Sequence, residues 1–255
     1  MASFSEIKSS NFAVASAAEF DKEPDFTAIF NEMEAAFPAS LKNSWDLCVL
    51  SSLTTGRYPS TAAPALYRHL LATQASRFSS SEQRAALHKR LHEGIFHLIP
   101  ISGAPRALDA SLALNSAVAP EDRDSCLGHS DWSPDNARSR ADAWLAKLYQ
   151  NDLPMFQSLI DPDFWLFIRD VVYGLHLSDH REISGVESEM IVASSLMTQG
   201  MPRESLWHLR ALRRLGLDQG TVQGIKSAVE KLIVAMGWEA NLKFLPTLEE
   251  VEKAM

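Results

Sequence analysis

Two acidic residues and one histidine in the second half of the chain have the spacing of a proton-transfer site. Glu204 and His208 are four residues apart, so a helix would place both side chains on one face. Glu189 lies on the preceding helical pattern, beyond a predicted turn at residues 200–202. A carboxylate close to an imidazole favours the protonated ring. Two carboxylates flanking His208 would therefore form a group that takes up and releases a proton near neutral pH.

The same residues also fit an interpretation without chemistry. Glu204 and His208 would form a solvated pair on the surface of their helix, contributing roughly a few tenths of a kcal/mol. Glu189 is harder to place on a surface, because its neighbours Met190 and Ile191 are typical of a buried helix. A buried carboxylate needs a polar partner, and His208 is the nearest candidate. The spacing alone leaves both interpretations open.

Three further residues are candidate substrate contacts. Tyr173 and His176 lie near the end of a predicted helix. Arg210 belongs to a cluster with Arg213 and Arg214 that would attract an acidic substrate. Each candidate has a structural alternative, since Tyr173 also suits a core position and the arginines also suit a solvated basic face.

A metal site is not expected. His88 and His92 are four residues apart and His97 follows them. No Asp or Glu at suitable spacing completes a zinc-ligand set of the HExxH type. The three histidines therefore do not predict a metal centre.

Almost every segment repeats its apolar residues at the helical period and ends at Gly or Pro, and nothing alternates as a strand would, so the predicted fold class is all-α. Eight of the predicted helices comprise residues 26–37, 45–53, 65–76, 104–114, 138–149, 163–176, 187–199 and 203–215. A further helix is predicted to begin within residues 79–82 and to bury Leu87, Leu91 and Ile95. The last predicted helix begins at Asp218 or Thr221 and ends at Met236. Pro64 is placed in the first turn of the third helix. Asp161 and Pro162 are placed at the start of the helix over 163–176.

Polar, aperiodic residues divide the chain into two helical units. Residues 115–137 are the predicted linker, and residues 1–25 are predicted to be flexible. The flanking units, 26–114 and 138–255, share an order of fragments: LCVLSSL matches MIVASSL, and YRHLLA matches LWHLRA.

This match predicts that the first unit is a degenerate copy of the second. Asp46 corresponds to Glu189, and His69 corresponds to His208. Ala65 stands four residues before His69, where the second unit has its second acidic residue. The first copy is therefore expected to support structure more than chemistry.

Composition bounds the class of protein. The chain has 255 residues, 46% hydrophobic and 22% charged, which excludes a disordered or collagen-like protein. A net charge of −8 argues against a nucleic-acid binder or a binder of anionic membranes. The two cysteines, Cys48 and Cys126, are too few for a disulfide framework. Without a membrane-spanning run or a targeting pattern, the expected location is the cytoplasm.

Several segments of the second unit resemble the carboxymuconolactone decarboxylase family, which shares its fold with alkylhydroperoxidase D. The segments that carry the resemblance are AWLAKLY at 143–149, IDPDFWLFIRDVVYG at 160–174, ESEMIVASSL at 187–196, HLRALRRLG at 208–216 and AMGW at 235–238. Together they cover about residues 138–245, with a weaker copy at about 40–115. Ser188 departs from the family pattern, which has a basic residue just before the position of Glu189.

The resemblance implies an alkylhydroperoxidase D-like helical bundle that forms homo-oligomers and uses no metal or organic cofactor. It implies a lyase that decarboxylates or isomerises a small acidic or carbonyl metabolite. His208 would be the general acid and base, Glu189 would orient it, and Glu204 would be a second polar group. Tyr173 belongs to an aromatic–Gly pair of the family pattern.

Two alternatives remain open beside the lyase. Peroxidase members of this fold carry two cysteines seven and four residues before the histidine, where this chain has Met201 and Glu204. A peroxide-reducing antioxidant is therefore the weakest alternative, because the nucleophile is missing. The stronger alternative is a binding or assembly protein without catalysis on the same fold.

Overall fold

A computed structural model describes residues 24–123, 129 and 132–253. In these residues we label the helices α1–α13, with a π-helix between α9 and α10. They are α1 (Phe26–Ala36), α2 (Trp45–Thr55), α3 (Pro59–Thr73), α4 (Ser81–His97), α5 (Ile99–Ser102), α6 (Ala104–Ala117), α7 (Pro134–Tyr149), α8 (Leu153–Ser158), α9 (Pro162–Leu166), the π-helix (Phe167–Leu177), α10 (Gly185–Thr198), α11 (Pro202–Arg214), α12 (Gln219–Ala235) and α13 (Leu248–Glu252). Short 3₁₀ turns occupy Ala39–Leu41, Pro120–Asp122, Gln150–Asp152 and Glu239–Phe244.

The all-α prediction is confirmed for the described part of the chain, which contains helices and no strand. Among those residues no helix combines the length and the apolar character needed to cross a membrane. The predicted flexible segment 1–25 lies outside the described residues except for its last two positions.

Two inner helices, α2 and α10, form the centre of the core. Every residue of α2 is buried, and so is α10 from Ser188 to Thr198. Ser44 Oγ donates to Glu187 Oε1 at 2.8 Å, and the hydroxyl oxygens of Ser51 and Ser194 lie 3.0 Å apart. Both contacts join residues 143 positions apart and lie two helical turns from each other. The two helices therefore pack side by side, parallel and in register.

The turn after α10 sets α11 against it. Gly200 has a φ of 67°, a conformation that favours glycine, and the chain reverses there into Pro202, the first residue of α11. A Cβ on Gly200 would lie 3.2 Å from the side chain of Asn241. A larger residue would thus strain the backbone and crowd the segment after α12.

Several helix boundaries differ from the predicted ones. The first-turn proline of α3 is Pro59 rather than Pro64, which lies inside the helix. The predicted linker is shorter in its described part, because α6 continues to Ala117 and α7 already begins at Pro134. Ser133 explains the second difference, since its side chain accepts from the amide of Asn136 and caps α7.

The largest local difference is the π-helix. Asp161 and Pro162 start a helix as predicted, but α9 is short and the chain continues from Phe167 in wider turns. The apolar residues here recur five positions apart, as in Phe167, Val172 and Leu177. Residues five apart share a face when hydrogen bonds run from i to i+5, whereas an α-helix would spread them around its surface. The wide turns thus align this apolar row on one side.

Candidate functional site

Glu189 and His208 form a buried pair. His208 Nδ1 lies 2.7 Å from Glu189 Oε2, and the exposed fractions of the two residues are 7% and 0%. Since a carboxylate accepts hydrogen bonds, the imidazole carries its proton on Nδ1 in this contact. Nε2 has no hydrogen-bond partner within the described part of the chain. The pair therefore orients the ring and fixes its tautomer.

Local structure explains why the acid reaches the ring. Glu189 lies in the buried part of α10, just after a capping box in which the side chains of Ser184 and Glu187 each accept from the other's backbone amide. His208 lies in the middle of α11, which packs beside α10 because of the turn at Gly200. The spacing of 19 residues between Glu189 and His208 spans that turn.

A cavity of about 560 Å³ has His208 in its wall. The π-helix supplies much of the lining, and further residues come from α5, α7, α8, α9, α10, α11 and the segment between α8 and α9. The lining residues of the π-helix are Phe167, Ile168, Val172, Tyr173 and Leu177. The row of apolar residues that the wide turns align is thus one wall of the cavity.

Two tyrosines meet in the same cavity. The hydroxyl oxygens of Tyr149 and Tyr173 lie 3.1 Å apart, within hydrogen-bond distance, and both residues line the space. Burial raises the pKa of both phenols above their usual value, and the charge of Glu189 raises both further. Both hydroxyls are therefore protonated at neutral pH, and one hydroxyl proton remains for a ligand.

Glu204 lines the cavity but does not pair with His208. It lies half-buried in the first turn of α11, where the helix dipole favours a negative charge. The only histidine–carboxylate contact within α10 and α11 is that between Glu189 and His208. Of the two carboxylates expected to flank the ring, Glu189 contacts it and Glu204 does not.

The other two predicted substrate contacts do not line this cavity, although Arg210 borders a smaller pocket that shares Tyr149, Phe156 and Trp207 with it. His176 is buried beside Phe96, whose carbonyl oxygen lies 3.2 Å from Nδ1. Burial, helped by the neighbouring His97, lowers the pKa of His176 to about 4. Arg210 donates to the carbonyl oxygens of Val251 and Glu250, so it holds α13 against α11. Of the three, the structure brings only Tyr173 to the wall that contains His208.

Comparisons with known proteins leave the family open. No family model, curated protein or solved structure matches the chain. The resemblance to the carboxymuconolactone decarboxylase family therefore stays a prediction.

The described cysteine does not suit thiol chemistry. Cys48 has no exposed surface in α2, and burial raises its pKa to about 12. Such a thiol forms almost no thiolate at neutral pH. Cys126 lies outside the described residues.

The histidines of α4 are explained by other contacts. His88 Nε2 and His92 Nε2 lie 2.9 Å and 3.0 Å from the same oxygen, Asn115 Oδ1. Among the described residues, no three His, Cys, Asp or Glu side chains are grouped as metal ligands.

Sequence reasoning missed Tyr149 and the aromatic side chains beside it. Tyr149 stacks on Phe156 with ring centroids 4.4 Å apart, and Trp207 meets Phe156 edge-on at 5.1 Å. Trp207 directly precedes His208 in α11, and both residues line the cavity. No short-range signal links Tyr149 to Tyr173, because their contact depends on how α7 packs on the π-helix.

Proposed function

We propose that this chain is a cofactor-free lyase of the carboxymuconolactone decarboxylase type, which decarboxylates or isomerises a small acidic or carbonyl metabolite. His208 is the general acid and base, Glu189 orients it, and Glu204 is a second polar group in the pocket. The observation that carries the proposal is the contact of 2.7 Å between Glu189 and His208 in the wall of a cavity large enough for a metabolite.

The geometry supports proton transfer at carbon. His208 Nδ1 is held by Glu189, so Nε2 is the nitrogen that can exchange a proton with a ligand. When a carboxylate or a proton leaves a carbon next to a carbonyl group, an enolate forms, and an acid must then deliver a proton to carbon. Because a carboxylate accepts hydrogen bonds, Glu189 holds the ring through Nδ1 while Nε2 gains and loses the proton. Such a positioned acid and base contributes about 10²–10⁴-fold to the rate.

Deuterium incorporation tests the proposal. A panel of oxo acids, lactone acids and ketones is incubated with the protein in D₂O, and NMR measures deuterium at carbon and loss of carboxylate. We expect His208→Gln to lower the rate on any accepted compound by about 100-fold or more. The matched control is His69→Gln, which alters the corresponding residue of the first unit and should leave the rate unchanged. Equal rates for wild type and His208→Gln would contradict the proposal.

The alternative, a binding or assembly protein, is favoured by one observation. Large apolar side chains are exposed on α9, beside the cavity that Phe164 lines, and Phe164 and Leu166 expose 56% and 53% of their surface. We propose that this face binds a second copy of the chain. Leu166→Glu should then lower the mass measured by light scattering, whereas Val234→Glu, an exposed apolar position on α12, should not. A mass unchanged by Leu166→Glu would remove this support.

A further inference from the structure

The wall of the cavity carries few charges. Besides His208, its charged lining residues are Asp161, Arg203 and Glu204. The remaining lining is almost entirely aliphatic or aromatic, as at Ile160, Phe164, Ile168, Leu196 and Trp207. A ligand enclosed here exchanges water for apolar contacts, which stabilises apolar surface and destabilises charged groups.

The cations near the site are poorly placed to compensate a buried carboxylate. Arg203 is exposed, and its guanidinium carbon lies 6.0 Å from the ring centroid of Trp207. Arg210 borders a smaller adjoining pocket rather than the cavity itself, and it donates to backbone carbonyl oxygens of α13. Arg214 pairs with Asp152 at 2.5 Å and donates to the carbonyl oxygen of Leu148. A ligand with two carboxylates would lose its hydration without gaining a matching pair of buried cations.

The tyrosine pair offers what an uncharged ligand needs. Tyr149 and Tyr173 are buried, protonated and hydrogen-bonded to each other, so the pair has one donor left over. A phenol that donates to a carbonyl oxygen stabilises the negative charge that develops there when an enolate forms. The donor pair and the imidazole border the same cavity, as acid–base chemistry next to a carbonyl group requires.

We propose that the cavity binds an uncharged, largely apolar carbonyl compound, and that the Tyr149–Tyr173 pair holds its carbonyl oxygen while His208 moves a proton between carbon atoms. This inference rests on the proposed function and narrows it to isomerisation or enolisation of an apolar ketone.

The reaction step balances without a further reactant. His208 Nε2 takes a proton from the carbon next to the carbonyl group. The electron pair of the broken C–H bond forms a C=C bond, and the carbonyl π pair moves to the oxygen, which accepts a hydrogen bond from the tyrosine pair. The imidazolium then returns the proton to a carbon of the enolate, and the C=O bond forms again.

Binding of three probes tests the ligand class and the tyrosines. The probes are 2-naphthol, whose hydroxyl group imitates an enol, naphthalene, which has no oxygen, and naphthalene-2-carboxylate, which is charged. Fluorescence titration should give 2-naphthol a dissociation constant roughly tenfold below those of the other two. Tyr149→Phe and Tyr173→Phe should each remove most of this preference. Tyr67→Phe is the matched control, because Tyr67 is also buried but lies in α3.

Proton exchange separates this inference from the proposed function. In D₂O the wild type should accelerate deuterium incorporation next to the carbonyl group of 2-tetralone, and His208→Gln should abolish the acceleration. Tyrosine-dependent binding of 2-naphthol without any exchange would support the ligand class and contradict the proton-transfer function. Tighter binding of naphthalene-2-carboxylate, or equal 2-naphthol binding by the phenylalanine variants, would overturn the inference even where exchange occurs.

Discussion

The predicted match between the two units pairs Asp46 with His69 and Glu189 with His208, but in the structure only Glu189 contacts its histidine. In the second unit His208 Nδ1 lies 2.7 Å from Glu189. In the first unit Arg90 binds the carboxylate of Asp46 at 3.3 Å. His69 is buried against the rings of Phe30 and Trp45, with centroids 5.2 Å and 6.1 Å away. Residue type at matched positions therefore does not decide whether a proton-transfer pair forms.

The competing partner makes the difference. Arg90 Nη2 lies 3.3 Å from Asp46 and 2.7 Å from Glu187, so one guanidinium links the starts of both inner helices. Glu189 sits deeper along α10, where the nearest polar partner is His208 on the adjacent helix. Asp46 is also one methylene shorter than Glu189, which limits its reach. Asp46 thus serves the packing of α2 on α10, whereas Glu189 holds His208 in the cavity wall.

Removal of each histidine should break this comparison most clearly. His208→Ala leaves Glu189 as a fully buried carboxylate without a partner, so we expect a loss of about 4 kcal/mol in the free energy of unfolding. His69→Ala removes a buried ring whose Nε2 has no hydrogen-bond partner, so we expect about 2 kcal/mol from lost packing. Urea unfolding at neutral pH measures both values.

A double variant shows whether the larger loss comes from the unpaired charge. Glu189→Leu added to His208→Ala removes both polar partners, and replacement of a whole buried pair by apolar groups is often close to neutral. The double variant should therefore recover at least about half of the loss. A double variant less stable than His208→Ala would contradict a buried carboxylate that depends on its hydrogen bond from His208.

The second prediction concerns Arg90, which pairs with Asp46 and Glu187. Burial alone would raise the pKa of Glu187, but the hydrogen bond and the charge of Arg90 lower this pKa to about 2. Because the pKa of Glu187 is lower in the folded state than in the unfolded state, its ionised form stabilises the fold. This stabilisation is fully present when the pH is above the unfolded-state pKa of about 4.5, and it is lost as the pH falls towards 2. Arg90→Met should cost about 3 kcal/mol at neutral pH, and the difference from wild type should shrink through that acid range.

The control for Arg90 is a neighbouring residue on the same helix. Lys89 pairs with Glu182 at 2.7 Å, but both side chains are about a third exposed. Lys89→Met should therefore cost less than about 1 kcal/mol. If the two variants are equally stable, or if the Arg90→Met difference does not change with pH, the link between the inner helices is weaker than the geometry indicates.

Helical periodicity and end signals made much of the fold predictable. The helices predicted over 45–53 and 187–199 correspond to α2 and α10, and Gly200 and Gly216 lie at predicted helix ends. The π-helix was not predicted, because its apolar row was assigned to an α-helix by its start signals at Asp161 and Pro162. A change in the number of residues per turn does not alter the residues that start a helix. It alters only the spacing of the apolar residues farther along the helix.

The part of the site that lies on two consecutive helices, α10 and α11, was predictable from the sequence. Glu189 and His208 are linked by one turn, so local rules suffice to suggest their contact. Arg90 reaches Glu187 across 97 residues, and Tyr149 reaches Tyr173 through the packing of α7 on the π-helix. Such partners depend on tertiary packing, which no local pattern encodes. The role of each residue stays a prediction, whereas its position is observed.

The smallest expected effect tests whether the first unit carries any chemistry. Cys48 on α2 is fully buried and its pKa is raised to about 12, so its thiol should resist alkylation in the native protein. In a Cys126→Ser background, iodoacetamide at pH 8 should label Cys48 only after unfolding in urea, as followed by mass spectrometry. Rapid native labelling would show an accessible thiolate in the first unit. The contrast between a structural first unit and a reactive second unit would then fail, because α2 would itself hold a nucleophile.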